Sequence, residues 1–236
     1  DFPLCYGEKG QLQLRIVSAP VHDARIVSLT AGVAMNGVPA TAEALVKANL
    51  DALEGAERIE LAAGPDAGTV LVRATGIAGH AAMPEGSVNA LHVLASYLLD
   101  SLELTGKERA WFEFVRDLSA TTDGASLGID CEDADFGALT CVASMASLEQ
   151  ARYSQSIDIR FPTSTCLAEL ERAIQERAAS LESTVETVNA VEPLLVPSDS
   201  AHMQALGKAY EEVTGCPARL FTMGGGTYAH HFPTGV

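Results

Sequence analysis

The sequence predicts an α+β protein in which sheets are covered by helices, and three observations carry that expectation. Segments whose apolar residues alternate with a period of two follow segments with a helical apolar face along most of the chain. The order of these segments recurs in the second half without matching residues, as a βαββ-type unit used twice would. The 236 residues are 47% apolar and 19% charged, in an even spread typical of a folded chain. A βαββ-type unit buries one sheet face against its own helix, so the expected architecture is a sheet-plus-helix sandwich rather than a doubly wound sheet.

Gln11–Val17 alternates polar and apolar residues as a half-buried strand does, and Arg25–Leu29 reads as a second strand. Ala40–Leu50 is alanine-rich and follows Pro39, which suits a first helical turn, so a helix is expected there. Gly64-Pro65-Asp66-Ala67-Gly68 marks a turn between candidate strands Arg58–Ala62 and Thr69–Thr75. Helices are expected at Ser87–Leu102 and Gly106–Leu118, the second with a bulky face of Trp111, Phe112, Phe114 and Val115. Phe136–Ser147 and Gln155–Phe161 then read as paired strands, Leu167–Ser180 as an amphipathic helix and Thr184–Val191 as a strand. After Glu192 the pattern changes. Asp199 or Ser200 can cap a helix running through Val213, Thr214-Gly215 stops it, and Ala218–Thr222 is a short strand leading into a glycine loop. Helix, strand and glycine loop in that order resemble the edge of an α/β domain.

The formal charge of −16 argues against nucleic acid and anionic membranes, which need Lys and Arg to neutralise phosphates. No apolar run approaches the roughly 18 residues of a membrane span. Five scattered cysteines without C-x-x-C spacing fit buried thiols in a reducing, cytoplasmic setting. The chain opens at Asp1 without a basic or apolar leader and closes at Val236 just after a glycine turn, so it is expected to be a piece of a longer polypeptide.

Chemistry concentrates at two places. Met223-Gly224-Gly225-Gly226-Thr227 ends a strand and can turn backbone N–H groups toward an anion, or can be a tight loop where backbones pack closely. His80 stands in a loop of small residues between a strand and a helix, free to donate to a substrate oxygen or merely to face solvent. No H-E-x-x-H or Walker lysine accompanies either.

The string Gly79-His80-Ala81-Ala82-Met83-Pro84-Glu85-Gly86-Ser87-Val88-Asn89-Ala90 around His80 resembles the lid-domain motif G-x-x-x-H-[AS]-x-x-P-x-x-G-x-N-[AS] of the dinuclear-zinc exopeptidases, which include carnosinases, aminoacylases and PepV-type or Xaa-His dipeptidases. Four further matches follow the family order. Asp1-Phe2-Pro3 with Tyr6-Gly7-Glu8-Lys9-Gly10 is similar to the crossing from catalytic domain to lid. Gly32 through Asn36-Gly37-Val38-Pro39 is similar to G-x-x-x-N-x-V-P, Asp158-Ile159-Arg160-Phe161-Pro162 to [ND]-x-R-[YF]-P, and Met223 through Ala229 to the substrate-cradling G-G-G-T-[YF]-A loop.

The resemblance implies a lid of two βαββ-type, ferredoxin-like halves over residues 11–192, preceded by the end of a catalytic segment in 1–10 and followed by a partial return to an α/β catalytic domain in 193–236. It implies hydrolysis of dipeptides or short peptides, with His80 as donor to the oxyanion of the tetrahedral intermediate. Arg160 would grip the substrate carboxylate with Gly224, Gly225, Gly226, Thr227 and Asn36. Arg160 paired to a neighbouring carboxylate, and Asn36 shaping a turn, are the competing readings for those two residues. Asn89 would order the loop or the following helix rather than touch substrate. Two zinc ions are implied for the longer polypeptide and none for this chain, because the family's ligands do not match His230, His231 or other residues here; the chain alone would then be inactive. A monomer or a lid-mediated dimer fits this scheme. The alternatives are a non-catalytic dimerisation or binding domain and a related N-acyl-amino-acid or succinyl-diaminopimelate amidohydrolase.

Overall fold

A computed structural model describes residues 4–231, with side chains through residue 229. Fifteen elements organise the chain: β1 (Leu4–Glu8), β2 (Gly10–Val17), β3 (Ile26–Ala31), β4 (Thr41–Lys47), β5 (Ile59–Ala63), β6 (Thr69–Thr75), α1 (Ala90–Ser101), α2 (Gly106–Ala120), β7 (Thr140–Glu149), β8 (Arg152–Phe161), α3 (Leu167–Ser180), β9 (Thr184–Val191), β10 (Leu194–Leu195), α4 (Ala201–Thr214) and β11 (Leu220–Met223). Eight strands form one antiparallel sheet in the order β9-β2-β8-β7-β3-β4-β6-β5. The fold is mixed α and β, as the alternating periods predict.

One sheet face carries Leu12, Leu14 and Ile16 of β2, Ala42, Ala44 and Val46 of β4, Val70 and Val72 of β6, and Tyr153, Ile157 and Ile159 of β8. All of these belong to one core with α1, α2 and α3. Helix α1 turns Leu91, Leu94 and Leu98 into that core, and α2 adds Trp111, Phe112 and Phe114. Burying a side chain such as Leu98 contributes about 1.5–3 kcal/mol. Asn89 caps α1 by accepting from the Leu91 N–H (2.9 Å) and donates across to the Ala143 carbonyl of β7 (2.8 Å), the ordering role expected of it.

The expected helix at Ala40–Leu50 is strand β4 instead. Ala42, Ala44 and Val46 all lie within 1% of full burial and alternate with residues of the other face, a period of two that a helix cannot present. Alanine favours helix locally, but β3 and β6 take up the hydrogen bonds of this segment on both sides. The Pro39 carbonyl accepts from Ala90 N–H at the start of α1 rather than from a helix of its own. The first half therefore runs as six strands, β1–β6, and then α1, not as a βαββ unit.

Only two residue pairs, Ala146 with Ala31 and Ser147 with Thr30, join β7 to β3, whereas β8 and β2 share an eight-residue register. The ladder stops because Gly32 turns away at φ +70, where a Cβ would sit 2.2 Å from the Ser144 carbonyl oxygen. A separate three-stranded sheet sets β1 between β10 (antiparallel) and β11 (parallel). Among the described residues no helix is long and apolar enough to cross a membrane. All five thiols are free.

Candidate functional site

The loop carrying His80 is held by backbone pairing. Gly37–Val38 forms a short antiparallel ladder with Gly79–His80, and the Ala81 N–H donates to the Asn36 carbonyl (2.9 Å). Val38, Ala81 and Val142 make a small apolar cluster beneath, and the Thr140 hydroxyl donates to the Ala81 carbonyl (2.7 Å), tying the loop to β7. Two motifs 44 residues apart thereby meet: the side-chain nitrogen placed as Asn36 Nδ2 lies 3.3 Å from His80 Nε2.

This geometry fixes the imidazole's proton. His80 Nδ1 accepts from the Ala82 N–H at 3.1 Å. In a neutral ring the other nitrogen must then carry the hydrogen, so Nε2–H is a donor. A donor at Nε2 faces an acceptor, which requires Asn36 to turn its Oδ1, not its NH₂, toward the ring. His80 is exposed and keeps Nε2–H at the surface of the site.

Arg160 is not an open fork. It is 4% exposed; its Nε and Nη2 donate to the two oxygens of Asp158 (2.6 and 3.0 Å), and its Nη1 donates to the Gly224 carbonyl (3.2 Å). Strand alternation makes this pairing natural, since residues 158 and 160 share one face of β8. Asp158 also accepts from Gln13 Nε2 (2.5 Å). Three of the five guanidinium N–H groups are thus engaged and two remain. The glycine loop is fixed from both sides. Glu8, 3% exposed, accepts from the Thr227 N–H (2.9 Å) and the Thr227 hydroxyl. A Cβ on Gly224 would meet Ala82 Cβ at 3.0 Å, so this loop and the His80 loop are in contact.

Between them opens a cavity of about 860 Å³, lined by His80, Gly224, Gly225 and, on its apolar walls, Phe136, Leu139 and Phe221. Lys9 also lines it, 8% exposed, with its ammonium donating to the Ala138 carbonyl. Burial pushes the Lys9 ammonium below the usual lysine range; Asp133, Glu85 and Cys131 oppose the shift without cancelling it.

The structure therefore brings His80, Asn36, Gly224 and Gly225 together, places Arg160 behind the glycine loop, and engages Thr227 with Glu8. The sequence pattern assigned no role to Lys9, Asp158 or Glu8. Asp158 lies in the same motif as Arg160, and period-two alternation is the signal that pairs them. Residues Asp1, Phe2 and Pro3 lie outside the described residues, as do the side chains of His230 and His231. Among the described residues no group of three or more His, Cys, Asp or Glu is close enough to hold a metal ion, so the two zinc ions of the resemblance find no fitting ligand set here.

No protein-family model matches the chain. It is 30% identical, along its whole length and over 53% of the relative, to the Bacillus subtilis protein named "Putative dipeptidase YtjP". It is 27% identical, along its whole length and over 54% of the relative, to a Staphylococcus haemolyticus protein also named "Putative dipeptidase". The chain thus spans about half the length of the curated relatives it matches. Among solved structures it is similar to the aminoacylhistidine dipeptidase of Vibrio alginolyticus, at 11% identity and a TM-score of 0.45 over 94% of this chain and 52% of that one.

Proposed function

We propose that this chain, related from end to end to proteins named as dipeptidases, is the substrate-facing part of an enzyme that hydrolyses dipeptides or short peptides. The observation that carries the reading is the hydrogen bond from the Ala82 N–H to His80 Nδ1. A backbone N–H on Nδ1 keeps the proton on Nε2, which makes the ring a ready donor beside a cavity large enough for a dipeptide. As the scissile carbonyl carbon becomes tetrahedral, its oxygen gains negative charge, and a donor already oriented toward it lowers the barrier without reorganising. Asn36 Oδ1 accepts that one Nε2–H in the unliganded site, and the substrate oxygen takes it over on binding. Arg160 acts from behind the glycine loop, holding Gly224 in place through its carbonyl.

The described residues do not fit the two zinc ions of the resemblance, and no step of the proposed chemistry runs through them. Their ligands are proposed to belong to the longer polypeptide, so the 236-residue chain alone is inactive. Turnover of a dipeptide by the purified chain with added zinc would overturn that part.

The test of the central reading is His80→Ala in the complete gene product, followed by dipeptide hydrolysis. Loss of a preorganised oxyanion donor lowers kcat by about 10²–10³ and leaves KM within a few-fold. Unchanged kcat, or a defect confined to KM, rejects the role.

A further inference from the structure

Two buried cations stand near the glycine loop, and their surroundings differ. Arg160 is neutralised by Asp158, which accepts two of its N–H groups. Lys9 is buried to a similar degree, yet its ammonium donates only to the Ala138 carbonyl, and among the described residues no carboxylate pairs with it. A buried charge without a counter-ion is costly, and it persists where a ligand completes it.

The charged groups around Lys9 do not fill that place. Asp133 is committed to the N–H groups of Asp135, Phe136 and Thr163 and to the Thr163 hydroxyl. Asp123, on the cavity wall, accepts from the Thr121 hydroxyl and the Ala125 N–H. Glu85 is exposed on the cavity wall and acts on Lys9 only through space. The Cys131 thiol is held protonated, its pKa raised first by burial, so it brings no charge at neutral pH. Glu8, next in sequence, accepts from Thr227.

An ammonium has three donors, of which one is used, and this one shares its cavity with His80. We propose that Lys9 is the counter-ion for a carboxylate of the bound peptide, so that the cavity selects peptides carrying a carboxylate within reach of His80. The inference rests on the dipeptidase reading and departs from it in the residue assigned: Lys9, rather than the already paired Arg160, supplies the unmatched positive charge. The carboxylate is either the C-terminal one or that of an acidic side chain, and both present the same chemistry to Lys9.

The experiment uses Lys9→Met and Lys9→Arg in the complete gene product, each checked for folding by circular dichroism. Three substrates are compared: Ala-Ala, Ala-Ala-amide and Ala-Asp-amide. A hydrogen bond between charged partners contributes about 1.5–3 kcal/mol, or roughly 10- to 150-fold. Lys9→Met therefore raises KM by about that factor for whichever substrate carries the recognised carboxylate, Ala-Ala for a C-terminal source or Ala-Asp-amide for a side-chain source. The Ala-Ala-amide KM changes less than about three-fold, and Lys9→Arg recovers part of the loss. Equal losses on all three substrates mean that Lys9 only supports the loop, and the proposal falls.

Calorimetric binding of N-acetylalanine, N-acetylalanine amide and the α-amide of N-acetylaspartic acid needs no turnover and separates the two readings. If the enzyme hydrolyses no peptide but binds a carboxylate in a Lys9-dependent manner, the dipeptidase reading fails and this site stands. If peptides are hydrolysed and carboxylate preference survives Lys9→Met, the site fails alone. Failure of the wild-type protein to prefer any carboxylate over its amide also overturns it.

Discussion

Replacing Glu108 tests how the helical layer is fastened to the sheet. Glu108 lies on α2, 4% exposed, and its carboxylate accepts from the Arg25 N–H (2.9 Å), the Ile26 N–H (3.0 Å) and the Tyr153 hydroxyl (2.7 Å). Arg25 is exposed, so water can replace the carboxylate at its N–H. Ile26 and Tyr153 are 2% and 0% exposed, and their donors have no such substitute. Each buried donor left unpaired costs about 1–3 kcal/mol, so Glu108→Ala destabilises by about 2–6 kcal/mol. Tyr153→Phe removes one hydrogen bond to a charged acceptor, about 1.5–3 kcal/mol. In the double variant no tyrosine hydroxyl remains to be stranded, and the total falls short of the sum by about 1–2 kcal/mol. Urea unfolding at neutral pH, with the m-value compared across the four proteins, gives these numbers. A cost below about 1 kcal/mol for Glu108→Ala, or additivity within about 0.5 kcal/mol, would mean that this carboxylate does not fasten α2 to the sheet.

Two further expectations concern a glycine turn and a half-buried, hydrogen-bonded carboxyl. Gly32→Ala puts a Cβ 2.2 Å from the Ser144 carbonyl at a φ of +70, so the backbone must shift where β3 leaves β7; a loss of at least about 2 kcal/mol is expected by denaturant titration, and a neutral outcome would mean the turn is freely remodelled. Burial raises the Asp133 pKa, but the Phe136 N–H and the hydroxyl and N–H of Thr163 outweigh it, leaving the carboxyl below its usual range. A pKa lowered by folding gives stability that is present above the unfolded value of about 3.9 and is lost as pH falls through the folded value. Asp133→Asn should therefore flatten the acid limb of a stability–pH curve below about pH 4, and a limb parallel to wild type would contradict the assignment.

Elements whose period is carried by their own residues are legible in the sequence. Thr69–Thr75 and Leu167–Ser180 occupy the expected bounds because each shows its burial pattern within one segment; Thr184–Val191 keeps its bounds too, although its alternation breaks between Thr187 and Asn189. Thr41–Lys47 departs from expectation because its alanines favour helix while its strand state is imposed by neighbours on both sides. The nearness of Asn36 to His80 is foreshadowed by motif order, but the proton on Nε2 depends on the Ala82 N–H, a contact that only the folded loop creates. The competing reading of Arg160, a strand arginine with a carboxylate beside it, describes its contacts with Asp158. Lys9 falls within a motif that gives it no role, since its burial and its hydrogen bond to Ala138 come from a residue 129 positions away. Local pattern writes the elements; long-range packing decides which charges are stranded.

The two-rung junction between β7 and β3 divides the chemistry as well as the sheet. Asn36 and His80 belong to the β3–β4–β6–β5 side, while Lys9, Asp158 and Arg160 belong to the β2–β8 side. Bending stiffness in a sheet comes from its rungs, and this step has the fewest of any in the eight-stranded ladder. Asn89 reaching Ala143 and Thr140 reaching Ala81 act as guy-lines across it. The imidazole and the buried ammonium therefore face each other across a step joined by two backbone rungs and two side-chain ties.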